Sequence, residues 1–128
     1  MTDGLADTSV FIASETGRPI HPELLPDRLA VSVITIGELR AGVLAATDHE
    51  SRGRRLATLI SALGLESLNV DGEVADAWAR LRVTLRDAGR RLPVNDSWIA
   101  ATAIALGIPV VSQDDDYAGI PGLEMIRV

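Results

Sequence analysis

Two short runs constrain most strongly what this chain can fold into. LAVSVITI (Leu29–Ile36) and IPVVSQ (Ile108–Gln113) are apolar, rich in β-branched residues and without polar alternation. Strands of that kind are buried on both faces, the situation of a parallel sheet covered by helices on either side. The intervening segments suit that cover. TSVFIASE (Thr8–Glu15) starts a helix directly after GLAD (Gly4–Asp7). In TIGELRAGVLAA the residues Ile36, Leu39, Val43 and Ala46 recur at helical spacing, and DHESRGRRLATLISALG (Asp48–Gly64) is a second amphipathic helix. Val74, Trp78, Leu81 and Leu85 line one face of a third, and NDSWIAATAIALG (Asn95–Gly107) is a nearly apolar fourth. TGRPIHPELLPDR holds Pro19, Pro22 and Pro26, so it reads as a loop with one helical turn around Glu23–Leu25 at most. LESLNV and LEMIRV supply the remaining strands. This alternation predicts an α/β fold, a three-layer α/β/α sandwich with a mostly parallel central sheet, as one domain over residues 1–128.

Composition removes several chemistries. There is no cysteine, hence no disulfide, thiolate metal site or cysteine nucleophile, which suits a reducing compartment. All 12 basic residues are arginine, so neither a phosphate-binding loop with its lysine nor a receiver domain's pocket lysine is possible. MTDGLADTSV lacks the basic start and apolar run of a secretory leader. The longest uncharged stretch, Ser97–Gln113, is broken by Gly107 and Pro109 and reads as helix then strand. A cytoplasmic protein without a membrane span is expected. Hydrophobic residues make up 47% of the chain and aromatic ones 3%, so the core is aliphatic, and Trp78 and Trp98 fall on core faces.

The acidic residues carry the functional signal. VVSQDDDY places Asp114, Asp115 and Asp116 at the end of a buried strand, where their repulsion needs a cation, a helix N-terminus or bulk water. Three other acids share that setting: Asp7 ends GLAD, Glu38 lies in the first turn of the helix after LAVSVIT, and Asp96 opens the SWIAATA helix. Open parallel sheets collect ligands beyond the carboxyl ends of their strands, where these acids would converge. Each also has a structural explanation: Asp7 and Asp96 are favoured N-cap residues, and TIGE spells a capping box. Taking those six acids from the 18 acidic residues leaves 12, equal to the 12 basic ones, so the net charge of −6 resides in this set. A hard divalent cation, which takes carboxylate and water oxygens, would offset it.

LADTSVFI, SVITIGELRAG, NDSWIAATAIALGIPVVSQDDDY and IPGLEMIRV, in that order from Gly4 to Val128, resemble the PIN-domain ribonucleases, specifically the VapC toxins of bacterial toxin–antitoxin pairs. The resemblance implies that Asp7, Glu38, Asp96 and Asp114 form an acidic quartet around one or two Mg²⁺ or Mn²⁺ ions. Asp116 matches a further acid of the last motif, and Asp115 a variable position. Thr8, Ser9, Asn95 and Ser112 would support the ligands by hydrogen bonds. The implied reaction is endonucleolytic RNA cleavage by metal-activated water, leaving 5′-phosphate and 3′-hydroxyl ends without a histidine base. Also implied are a homodimer and a VapB-type antitoxin whose tail occupies an apolar groove, with VFIASE and LLPDRL as contributing segments. A structured RNA, a transfer or ribosomal RNA loop above all, is the expected substrate.

Phosphate contacts would fall to Arg52, Arg54, Arg55, Arg86, Arg90 and Arg91, residues that solvated helix faces also explain. His21 and His49 fit no ligand or relay spacing and are expected at the surface. Other acidic-site families fit less well. DTSVF lacks the second aspartate of a haloacid-dehalogenase-type motif, and a calcium loop begun at Asp114 would meet Met125 where its bidentate acid belongs. A PIN fold kept as a non-catalytic RNA-binding or scaffolding module is the other functional class; lost acidic ligands would mark it.

Overall fold

A computed structural model describes residues 3–128. The elements run β1 (Asp3–Ala6), α1 (Thr8–Thr16), a 3₁₀ turn (Pro22–Leu24), β2 (Arg28–Ser32), α2 (Val33–Ala45), α3 (His49–Leu63), β3 (Glu66–Leu68), α4 (Gly72–Asp87), α5 (Val94–Leu106), β4 (Val110–Ser112) and β5 (Met125–Arg127). The five strands form one parallel sheet in the order β3-β2-β1-β4-β5.

Alternation within the central strands sorts the helices into layers. Leu5, Ala30 and Val110 face one side, packing with Leu81 and Leu85 of α4 and Ile99 and Ala103 of α5. Their neighbours face the other side: Ala6 and Val111 meet Val10 of α1, while Val31 meets Leu39, Val43, Leu59 and Ala62 of α2 and α3. The expected α/β/α sandwich is therefore present. Its strand order reverses between β1 and β4, the switch point at which parallel sheets open a ligand crevice.

Two boundaries differ from the sequence expectation, and each moves an acid. The strand expected over Leu29–Ile36 stops at Ser32, whose hydroxyl caps α2 by accepting from the Ile34 amide at 3.0 Å. A continuous apolar run does not reveal where extended backbone gives way to a buried helix. Glu38 consequently lies in the second turn of α2, and TIGE is helix interior instead of a capping box, with Thr35 fully buried. Helix α5 begins at Val94, directly after Pro93, so Asp96 is its third residue and not its cap.

Gly4 is needed for close packing in β1. A Cβ there would stand 2.7 Å from Pro26 Cγ and 2.8 Å from Val111 Cγ2, well inside van der Waals contact. Gly4→Ala should cost about 1–3 kcal/mol by overpacking, seen as a lower denaturation midpoint at unchanged m value. An unshifted midpoint would mean that Pro26 yields freely.

Candidate active site

Chain direction brings the acids to one edge of the sheet. Asp7 and Asp114 follow β1 and β4, the two strands flanking the switch point. Helix α5 feeds β4, so its N-terminal turn, with Asp96, lies at the carboxyl edge of the sheet; α2 leaves β2 at the same edge and carries Glu38.

Asp7 is buried and caps α1, its Oδ1 accepting from the Ser9 amide. Its second oxygen, Oδ2, accepts from Ser112 Oγ at 2.8 Å, which ties the end of β1 to the end of β4. Ser112 Oγ also accepts from the Asp114 amide at 3.0 Å and lies 3.2 Å from Ser9 Oγ, and Ser9 Oγ accepts from the Gln113 amide at 2.9 Å. These two hydroxyls set the path of the chain into the acidic turn. Across the crevice Thr8 Oγ1 donates to Glu38 Oε1 at 2.6 Å and stands 3.0 Å from Thr35 Oγ1, which joins α1 to α2. Thr8 and Ser112 thus donate to Glu38 and Asp7, and Ser9 Oγ meets Ser112. Asn95 is exposed and forms no such bond among the described residues.

Burial and mutual repulsion both act on these acids. The half-buried Asp96 carboxyl is pushed up to about 6 from an ordinary 3.8, by burial first and then by the charges of Asp7, Glu38 and Asp116. Burial likewise raises the pKa of Asp7; the Ser9 and Ser112 hydrogen bonds oppose the rise and Asp114 adds to it. Among the described residues no arginine forms an ion pair with Asp7, Glu38 or Asp96. The site is a concentration of negative charge that the fold leaves uncompensated.

That donor set suits a hard divalent cation. All of its groups are oxygens, two of them partly desolvated and destabilised as anions, and Mg²⁺ commonly binds through one or two carboxylates while keeping waters. Among the described residues no three such side chains form a ready-made ligand cluster. Asp114, Asp115 and Asp116 are all exposed at the rim. Asp115 pairs with Arg127 at 2.9 Å, in keeping with its matching a variable position.

Several residues differ from their expected setting. Trp78 and Trp98 are half-buried and stack on each other, 4.3 Å between centroids and 4° between planes, with Arg82 lying 5.2 Å above Trp78. Arg52 and Arg55 donate to the Ala46 and Gly42 carbonyls at 2.8 Å, and Arg54 pairs with Glu50 at 3.1 Å; all three are occupied within the α2–α3 hairpin. His21 and His49 are exposed, as expected.

Tyr117 has a role that its sequence position did not disclose. Its side chain is buried with the hydroxyl toward the Asp7 and Asp96 carboxylates, near enough to interact with both and outside ordinary hydrogen-bond geometry to either. Burial, followed by the Asp7 and Asp96 charges, raises its pKa, so it stays protonated. An unmet buried hydroxyl costs about 1–3 kcal/mol, so Tyr117→Phe should leave stability unchanged or raise it by about 1 kcal/mol in urea titration. A loss of that size instead would reveal a water bridging the hydroxyl to the carboxylates. The adjacent three aspartates were the available clue.

Comparison with known proteins identifies the family. The PIN domain family model matches residues 5–123. Ribonuclease VapC5 of Mycobacterium tuberculosis is 52% identical over 128 residues, covering 98% of this chain and 95% of that protein. Ribonuclease VapC4 of the same organism is 50% identical over 129 residues, covering 97% and 95%. Among solved structures, VapBC-5 of M. tuberculosis, a member of the VapBC family of toxin–antitoxin systems, superposes with a TM-score of 0.92 at 47% identity over 100% of both chains. DNA-bound VapBC from Salmonella typhimurium gives 0.83 at 27% identity, covering 98% of this chain and 97% of that one.

Proposed function

The chain belongs to the PIN-domain family and, within it, to the VapC group, and from that premise we propose that it is the toxin of a VapBC-type pair, a Mg²⁺- or Mn²⁺-dependent endoribonuclease. The observation that carries the reading is the set of carboxylates without a cationic partner at the carboxyl edge of the sheet: Asp7, Glu38 and Asp96, from three distant segments, with Asp96 pushed up to about 6 by burial first and by the charges of Asp7, Glu38 and Asp116 after it.

Asp7, Glu38, Asp96 and Asp114 would hold one or two ions, with Asp116 reaching them through water. Bound there, such an ion supplies Lewis acidity toward water and toward the charge that develops at phosphorus in an in-line displacement. The chain's own part is orientation. Ser9 and Ser112 fix both oxygens of Asp7, and Thr8 fixes Glu38. Neither histidine hydrogen-bonds to these acids among the described residues, so proton transfer falls to the carboxylates.

A structured RNA, a transfer or ribosomal RNA loop, is the substrate we infer. Support comes from the aromatic residues: the tryptophans stack on each other, Tyr117 is buried and Phe11 packs against the core. With no free stacking platform among the described residues, RNA shape and backbone must dominate recognition. The partner is a VapB-type antitoxin, as in the VapBC complexes that the chain resembles. A groove of about 350 Å³ runs beside Glu38, where Ile12, Leu39 and Gly42 give an apolar strip and Glu15, Glu38 and Arg55 add charge. Exposed Ile12 and Leu24 extend the apolar surface that VFIASE and LLPDRL were expected to provide. A cytoplasmic homodimer completes the reading; among the described residues no helix is long and apolar enough to cross a membrane.

The test is cleavage of total cellular RNA with Mg²⁺ or Mn²⁺, with and without chelator, followed by end mapping. Discrete cuts bearing 5′-phosphate and 3′-hydroxyl ends are expected. Chelator-resistant cutting or 2′,3′-cyclic phosphate ends would overturn the metal-dependent route.

A further inference from the structure

A chain of net charge −6 must hold a polyanion with few cations, so the placement of its 12 arginines matters. Arg28, Arg54, Arg80 and Arg127 are paired with Asp3, Glu50, Asp76 and Asp115 within 3.1 Å. Arg52 and Arg55 are committed to backbone carbonyls. Arg18 and Arg40 are in neither set, and the remaining four converge: Arg82, which also lies over Trp78, Arg86, Arg90, which also donates to the Asp116 carbonyl, and Arg91 line one cavity of about 390 Å³ floored by Leu85 and Leu92. Among the described residues the one carboxylate paired with any of the four is Asp87, in a loose, exposed contact with Arg86 at 3.4 Å. Charge is therefore locally inverted on an acidic protein.

The pocket adjoins the acidic crevice. Arg90 Nη2 donates to the Asp116 carbonyl at 2.8 Å, and the Asp116 charge is felt at Asp96. We propose that this four-arginine pocket at the carboxyl end of α4 binds backbone phosphates of the RNA flanking the bond to be cut. The proposal rests on the ribonuclease reading and assigns its substrate grip to this pocket, adding Arg82 and leaving out Arg52, Arg54 and Arg55. Guanidinium groups match phosphate oxygens in a two-point geometry, and the apolar floor lowers the local dielectric. Favourable interaction with a helix C-terminus explains Arg86 alone; it explains neither the two loop arginines nor their convergence.

The test compares Arg86→Gln/Arg91→Gln with Arg80→Gln, which removes an Asp76-paired charge from the same helix. Arg90 is left intact because it holds the Asp116 carbonyl. Binding of a fluorescent RNA stem-loop, its loop about 12 nucleotides long, is followed by anisotropy across a salt series, in an Asp96→Asn background that prevents cutting. The double variant should bind about tenfold more weakly at low salt, and its slope of log K against log salt should shrink by about 1.4, at about 0.7 for each phosphate no longer neutralised. In the cleaving chain KM should rise with kcat unchanged. Arg91→Gln alone should give about half the slope change, which guards against a folding defect in the double variant.

If the chain cuts RNA while the pocket variants behave like Arg80→Gln, the pocket assignment falls and the ribonuclease stands. If the parent chain neither binds nor cuts RNA, both fall. If the variants lose VapB-type antitoxin and keep RNA, the pocket serves an acidic protein segment and the assignment is overturned.

Discussion

Replacing Asp7 or Asp96 by asparagine should reduce metal-dependent RNA cleavage by at least about a hundredfold, the order seen when one electrostatic element of a transition-state site is removed, while leaving a chain that folds and is more stable without metal. The two effects have one cause. Both carboxyls are raised above 3.8, chiefly by burial, and Asp96 further by Asp7, Glu38 and Asp116. Asparagine preserves the shape and removes the charge. For Asp96 a rise to about 6 would correspond to about 3 kcal/mol at neutral pH if felt in full. The group is half-exposed, so solvent screening reduces the expected gain to about 1–2 kcal/mol. Guanidinium melts of the metal-free variants and end-mapped cleavage assays check the two halves. A variant that cuts RNA normally would remove that residue from the site; one that is inactive and also destabilised would make its role in folding, not chemistry, the cause.

The parts of this site that sequence disclosed are those dictated by chain order. A buried β-branched run, a helix and an acid at the junction define which edge of a parallel sheet the acid occupies, so Asp7, Glu38 and Asp96 could be grouped from the order of segments alone. What stayed hidden depends on tertiary partners. VITI continues the apolar character of LAVS, and only the Ser32 cap shows where strand becomes helix. Arg52 and Arg55 look like free cations in DHESRGRR; their partners are carbonyls near the end of the preceding helix. Nothing in VVSQDDDY shows that the Tyr117 side chain turns inward beside Asp7 and Asp96. The convergence of Arg82 with Arg90 and Arg91 follows from how the α4–α5 connection turns, which chain order alone does not reveal.

The uncompensated cluster also dictates an unusual response to pH. A carboxyl whose folded pKa lies above its unfolded value binds more protons in the folded state, so stability falls as pH rises between the two values. For Asp96 that window runs from 3.8 to about 6, and Asp7 acts in the same direction. Asp48, the exposed cap of α3, has its pKa lowered by hydrogen bonds from Ser51 and contributes the opposite slope at lower pH. Without divalent cation, the melting temperature of the chain should decline from about pH 4 to about pH 6.5, and Asp96→Asn should flatten that decline. Mg²⁺ or Mn²⁺ should reverse it, because the cation binds the ionised folded cluster and must displace protons to do so at low pH. At a hundredfold excess over Kd the gain is about 2.7 kcal/mol, largest above pH 6 and vanishing toward pH 4. Thermal melts across pH, with and without cation, for the parent chain and Asp96→Asn, separate the possibilities. A cation response equal in both proteins and independent of pH would place the ion elsewhere on the molecule. A parent chain whose metal-free stability rises through this window would mean that Asp96 is compensated in solution, and the basis for a cation in the crevice would be lost.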